Sequence, residues 1–291
     1  MLARRSMWVV LGLGSVAMMA CGEYASRDYT FQSVNAPLRS VVISNYEGRV
    51  TILPGLPGGR VEGRMSVLAS GFDTPQEAAA AVDAVALVET GSALDLNLAV
   101  SVPPAPTFGG YEVGLELRVP PDVFVSVTTE DGAVALEDVV VARVATSDGR
   151  ITLRRTLGDA DLRTTNASIT VNGHEGNLDL YTYNGSLELQ SVYGNVRGST
   201  TNGAVVAEVM PPRDGDIQLA TTYGDVELRI PDTFGADLSA STTEPGTVIV
   251  ENLDFFPLAS LPGEANGQIN YGDGVIDLRT TQGTIRVIGA Y

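Results

Sequence analysis

Threonine stands at positions 128, 146, 164, 182 and 200, every 18 residues, and the series continues at 221 and 242 with a spacing of 21. The threonines lead into a polar pair and a glycine, as in Thr146-Ser-Asp-Gly149, Thr182-Tyr-Asn-Gly185, Thr200-Thr-Asn-Gly203 and Thr280-Thr-Gln-Gly283. A second glycine series, Gly158, Gly176 and Gly194, falls nine residues after Gly149, Ala167 and Gly185, so one 18-residue period holds two half-units. A fixed period of this length marks a chain that stacks one supersecondary unit on the next.

After these turns, apolar residues take the second and fourth places, as in Ile151/Leu153, Leu178/Leu180, Leu187/Leu189, Val226/Leu228 and Ile285/Val287. Such alternation between Asx-Gly turns predicts strands with one buried face. A strand of about five residues spans roughly 17 Å, so two or three strands with tight corners close a coil, and coils stack about 4.8 Å apart. One coil alone buries few side chains and leaves backbone unpaired at both edges; its neighbours cover both. The expected fold is all-β, a parallel β-helix (β-solenoid) with about 18-residue coils. Its core comes from repeated aliphatics, each worth about 1.5–3 kcal/mol, which suits an aromatic content of only 6%. Asp148, Asn166, Asn184 and Asn202 predict a side-chain ladder on stacked turns. Asp179 and Arg197 predict an opposite-charge pair on adjacent coils.

The phrase Asn45-Tyr-Glu-Gly48-Arg-Val50-Thr-Ile52 repeats the pattern early, so a single β-solenoid domain is expected over residues 38–291. Thr74-Pro75-Gln76-Glu77 combines an N-cap, an N1 proline and a capping box, predicting one short inserted helix over about 74–86. A proline-rich loop at 102–110 separates two further strands. A second interruption, Leu253 to Gly274, carries Phe255-Phe256-Pro257.

At the N-terminus, Arg4 and Arg5 precede an apolar run from Met7 to Met19 that ends at small residues. This is the layout of a secretory signal, too short for a membrane-spanning helix. Met18-Met19-Ala20-Cys21 resembles the bacterial lipobox, with Met where Leu is usual. The resemblance implies a lipoprotein signal peptide over 1–20, acylation of Cys21 and a polar, lipid-anchored tether over 21–37. Acyl chains contribute about 0.8 kcal/mol per buried methylene, and several together hold a chain at a bilayer. Gly22, where retained inner-membrane lipoproteins carry Asp, implies the outer membrane, on its periplasmic or surface face.

The net charge is −17, and all 18 basic residues are Arg. The close basic pairs are Arg4/Arg5 and Arg154/Arg155, which gives no clustered face for phosphate neutralisation, so nucleic acid is not an expected partner. His174 is the one histidine and Cys21 the one cysteine. No catalytic triad, zinc site or cofactor is therefore expected, and His174, within Gly173-His-Glu-Gly176, reads as an exposed turn residue. Dedicated calcium coils would need Gly-Gly-x-Gly-x-Asp repeats that Asp214-Gly-Asp216 and Tyr271-Gly-Asp-Gly274 do not supply. No metal or catalytic residues are assigned. Tyr181, Tyr183, Tyr193, Tyr223 and Tyr271 adjoin turns and form the candidate ligand-contact surface for a sugar ring or a protein.

The Asn45–Ile52 opening, the insertion near Thr74, the strand ending Leu115-Glu-Leu-Arg-Val-Pro-Pro121, the Thr/Asx-Gly coils and the ending Leu278–Gly289 together resemble the adhesin-like family of bacterial envelope proteins. That family has no assigned function, and the resemblance implies a right-handed parallel β-helix. The reading that follows is a noncatalytic, lipid-anchored envelope scaffold or adhesive surface. Its partners would be membrane lipid, through the N-terminal acyl anchor, and an envelope protein or polysaccharide. The alternative is a module that binds or cleaves polysaccharide, since carboxylate pairs can cut glycosidic bonds.

Overall fold

The computed structural model describes residues 24–33, 37–107, 109–243, 246–261 and 263–290. Within them the chain is all-β apart from one helix, and it divides into two compact units at Val140/Val141. The signal segment 1–20 and Cys21 lie outside the described residues.

The first unit contains β1 (Tyr24–Gln32), β2 (Ser40–Ser44), β3 (Val50–Pro54), β4 (Glu62–Ser70), α1 (Pro75–Ala84), β5 (Ala86–Gly91), β6 (Asp95–Ser101), β7 (Gly110–Val119), β8 (Phe124–Thr128) and β9 (Val134–Glu137). Strand β2 lies between β6 and β8 in parallel register, with Val41 opposite Leu96 and Val125 and with Ile43 opposite Leu98 and Val127. In the same way β3 lies between β7 and β9, with Val50 opposite Leu115 and Val134 and with Ile52 opposite Leu117 and Leu136. All of these side chains are buried. The coil at 40–54 is thus sandwiched between two that come later in the sequence. Antiparallel strands continue the sheet on one side, β4 on β7, β1 on β4 and β5 on β6.

Thr74 and Pro75 start the helix. Thr74 Oγ1 accepts the Glu77 N–H at 3.2 Å, Pro75 begins the helix, and Ala78, Ala81 and Val82 are buried where α1 packs on β1 and β4. Two other readings change. Residues 24–32, which polarity assigned to the tether, form β1 and pair along nine positions with β4. Their charges serve surface ion pairs, Arg27 with Asp83 and Asp28 with Arg64, and so do not mark a free linker. Thr128 is the exposed end of β8, whereas Thr129 is buried and its hydroxyl bonds the Tyr46 and Asp131 carbonyls. The step from Thr129 to Thr146 is therefore shorter than those that follow.

The second unit contains β10 (Val140–Ala145), β11 (Ile151–Leu157), β12 (Ala160–Arg163), β13 (Ile169–Glu175), β14 (Leu178–Tyr181), β15 (Leu187–Tyr193), β16 (Val196–Ser199), β17 (Val205–Met210), β18 (Asp216–Tyr223), β19 (Val226–Ile230), β20 (Ala236–Thr242), β21 (Val248–Glu251), β22 (Phe255–Leu261), β23 (Glu264–Ile269), β24 (Gly274–Gln282) and β25 (Ile285–Gly289). Its parallel pairs repeat the period of the sequence: Ile151 lies opposite Ile169, Ile169 opposite Leu187, Leu187 opposite Val205, and Leu178 opposite Val196. The next step is longer, from Val196 to Ile217 and from Val205 to Val226.

Beyond that point, order in space departs from order in sequence. Strand β18 pairs with β24 and β19 with β25, while β20 and β21 pair with the far edges of β24 and β25. The C-terminal strands are therefore inserted between two coils that precede them. The antiparallel strands β23 and then β22 extend the sheet from β20.

The repeated threonines explain their own spacing. Buried Thr182, Thr200 and Thr221 donate to the carbonyls of Ala167, Gly185 and Gly203, each at 2.8 Å, on the preceding coil. The series then passes to Thr280, which donates to Gly224, and only afterwards to Thr242, which donates to Gly283, both at 2.9 Å. Thr242 follows Thr221 in sequence but not in space.

Candidate functional site

Two side-chain ladders run along the second unit. The expected one is present: Asn202 Nδ2 donates to Asn184 Oδ1 at 2.7 Å, Asn184 to Asn166 at 2.8 Å, and Asn166 to Asp148. A second ladder follows the other glycine series. Asp159 Oδ1 accepts the Asn177 N–H at 2.8 Å, Asn195 Nδ2 donates to Asn177 Oδ1 at 2.9 Å, and Asn195 Oδ1 accepts the Asp216 N–H at 2.8 Å. The available signal was that Asp or Asn follows each of Gly158, Gly176 and Gly194.

Beside this second ladder, outward residues of β10, β12, β14 and β16 bring Arg143, Asp161, Asp179 and Arg197 into one register line. Asp161 and Asp179 would repel as neighbours; Arg163 bridges them, binding Asp161 and donating to Asp179 Oδ2 at 2.9 Å. Arg143 reaches Asp161 at 3.9 Å. The Asp179–Arg197 pair expected from sequence is adjacent in register, but the Asp179 carboxylate is bonded by Arg163. Exposed pairs of this kind are worth roughly 0–1 kcal/mol. The two lines border a groove of about 420 Å³ lined by Asp159, Asp161, Asn177, Asp179, Arg197 and Asp216, among others. Asp216 Oδ1 is buried there without a hydrogen-bond partner, while its Oδ2 accepts from Gln218 at 2.9 Å.

The five tyrosines are all exposed, from 38% at Tyr181 to 70% at Tyr271, but they do not form one patch. Tyr183 and Tyr223 share a stack of turns: the Tyr183 carbonyl accepts the Asn202 N–H, and Asn202 bridges to Tyr223, which takes the next place in the asparagine ladder. Tyr181 ends β14 just before that turn, opposite Arg163 and Ser199. Tyr193 ends β15 on another line, between Glu175 and Met210. Tyr271 lies apart, its ring 4.4 Å from that of Phe256.

His174 departs from its reading as an exposed turn residue. It is 1% exposed within β13, with Nδ1 2.9 Å from Thr156 Oγ1 and with Nε2 unpartnered. The cause is a left-handed bend repeated in three successive coils, at Arg155 (φ 48°), Gly173 (φ 72°) and Ser191 (φ 53°). The bend turns the next residue inward, so Thr156, His174 and Val192 form one buried register line. Burial pushes the imidazole pKa down, opposed by the Gly158 backbone and by the charge of Asp159. A sealed, neutral imidazole held to a threonine serves the core.

Among the described residues no helix is long and apolar enough to cross a membrane. Solved structures similar to this chain include a candidate cell-adhesion protein from Clostridium sporogenes, 8% identical over 91% of this chain and 100% of that one, with a TM-score of 0.28. A candidate adhesin from Bacteroides fragilis is 11% identical over 93% of this chain and 100% of that one, with a TM-score of 0.42. One from Parabacteroides distasonis is 9% identical over 91% and 97%, with a TM-score of 0.28. The comparison with curated proteins gives no significant match. The model of one family, Toastrack DUF4097, matches residues 99–288, well over half of the sequence, and the chain belongs to that family.

Proposed function

We propose that this protein is a noncatalytic, lipid-anchored cell-envelope β-helix that serves as an adhesin-like scaffold or binding surface. In this reading residues 1–20 export the chain, Cys21 carries the acyl groups, and right-handed parallel coils, one to each period of the threonine series, present their outer faces to a partner. The observation that carries it is the use of the repeat's polar residues. The threonine hydroxyls and the Asx side chains are spent on bonds between coils, and His174 is sealed in the core. Tyr181, Tyr183, Tyr193, Tyr223 and Tyr271 are left on the outside for contact. The test of the anchor is fractionation of cells making the Cys21→Ser variant. Wild type is expected with the outer membrane and the variant in the soluble periplasmic fraction; unchanged membrane association would remove the anchor.

The groove between Asp159 and Asp216 favours a second reading, as a module that binds or cleaves polysaccharide. Amide, carboxylate and guanidinium groups spaced along a trough suit vicinal hydroxyls. A glycan array with product analysis separates the readings: retention without cleavage supports a lectin-like surface, and new reducing ends establish a hydrolase.

A further inference from the structure

The hairpin of β22 and β23 leaves an apolar knob in solvent. Ile269 anchors it by pairing with both Ala236 and Phe255, and is itself buried. On the hairpin and the turn that follows it, Phe256 is 41% exposed and stacked against Tyr271, and Leu258 is 86% exposed. The register shifts between Pro257 and Ala259, so Leu258 is the bulged residue. Exposed apolar clusters of this kind mark interaction sites in soluble proteins.

The surroundings select the occupant. Between Arg229 and Arg279 the sequence carries eight acidic residues and no basic one. Of these, Asp254 and Asp273 stand within two residues of the knob and Glu264 begins β23, all exposed. A second copy would bring an identical acidic rim against this one, and anionic headgroups would meet the same repulsion. Strand addition along β22 is hindered, because Pro257 has no N–H to give and the bulge interrupts the row of edge hydrogen bonds. We propose that Phe256, Leu258 and Tyr271 dock into a protein partner whose apolar socket is rimmed by Lys or Arg. This refines the binding-surface reading at Tyr271 and does not depend on the lipid anchor or on the groove.

The test uses the full chain with two fluorescein-labelled peptides, one with a central Leu-Trp-Leu flanked by two Arg on each side and its twin flanked by Glu, followed by anisotropy. The Arg-flanked peptide is expected to bind at least tenfold more tightly than the twin. The paired substitution Phe256→Ser and Leu258→Ser, which leaves every charge in place, is expected to weaken it at least tenfold while the thermal melt is unchanged. Equal binding by wild type and variant would assign the attraction to the overall charge and overturn the proposal, as would binding of neither peptide. Sedimentation showing a dimer that the variant loses would put a second copy on the knob instead. Flotation with phosphatidylcholine vesicles that the variant loses would put a bilayer there, and either result also overturns it.

Discussion

The Thr200 hydroxyl donates to the Gly185 carbonyl of the preceding coil at 2.8 Å, and Thr200 is only 5% exposed. Thr200→Val keeps the shape of the side chain but leaves that carbonyl without its donor. Removing one partner of a buried hydrogen bond costs about 1–3 kcal/mol. Urea unfolding should show a loss of that size, and Thr200→Ser, which keeps the hydroxyl, should recover most of it. A loss for Ser with none for Val would instead assign the effect to packing of the methyl group.

Gly194 is required by contact as well as by conformation. Its φ is 152°, and a Cβ there would stand 2.1 Å from the Gly176 carbonyl oxygen on the coil below. That atom is backbone, so neither coil can yield without disturbing the ladder of Asn177 and Asn195. Gly194→Ala is expected to cost about 2–3 kcal/mol, the range of an overpacked core combined with a strained backbone. A denaturation midpoint equal to wild type would mean that the turns are not stacked this closely.

His174 gives a pH dependence whose sign follows from burial. Its folded pKa lies below the ordinary value of 6.5, because desolvation disfavours the imidazolium. The unfolded chain therefore binds the proton more readily. The contribution of His174 to stability is fully present above about pH 6.5 and falls as pH drops toward the folded pKa, by at most about 1.4 kcal/mol per unit. His174→Val, matching Val192 and Val209 on the same register line, should flatten the melting temperature between pH 7.5 and pH 5 relative to wild type. Any constant offset from the unsatisfied Thr156 hydroxyl would appear at both pH values. Parallel curves for the two proteins would contradict a neutral, sealed imidazole.

The sequence disclosed the period more fully than the path. Alternation placed Ile151, Leu187 and Val226 inward, and all three are fully buried. It also predicted the ladder from Asp148 to Asn202. It could not disclose which coil neighbours which: Thr242 and Thr280 carry the same chemistry, and either could donate to a turn carbonyl on the coil after Thr221. Pairing across so long a stretch of chain, as between Val226 and Ile285, leaves no local trace. His174 was misread because the bend that turns it inward is made by Arg155, Gly173 and Ser191, and only the glycine signals a positive φ. The tyrosines were legible as turn neighbours, but the separation of Tyr271 from the rest depends on the hairpin that interrupts the coils.

The inserted C-terminal strands make a final prediction. Deletion of residues 274–291 removes β24 and β25, and with them buried Ile276, Leu278, Ile285 and Val287. At about 1.5–3 kcal/mol for each buried aliphatic the loss is roughly 6–12 kcal/mol, comparable with the whole stability of a typical domain, about 5–15 kcal/mol. It also strips β20 and β21 of their parallel partners, because Leu238 and Val248 pair with Ile276 and Ile285. The truncated chain is expected to lose cooperative unfolding by urea, whereas deletion of residues 290–291 alone should retain it. If the longer deletion melted like wild type, β20 and β21 would have to close directly onto β18 and β19, and the inserted order would be wrong.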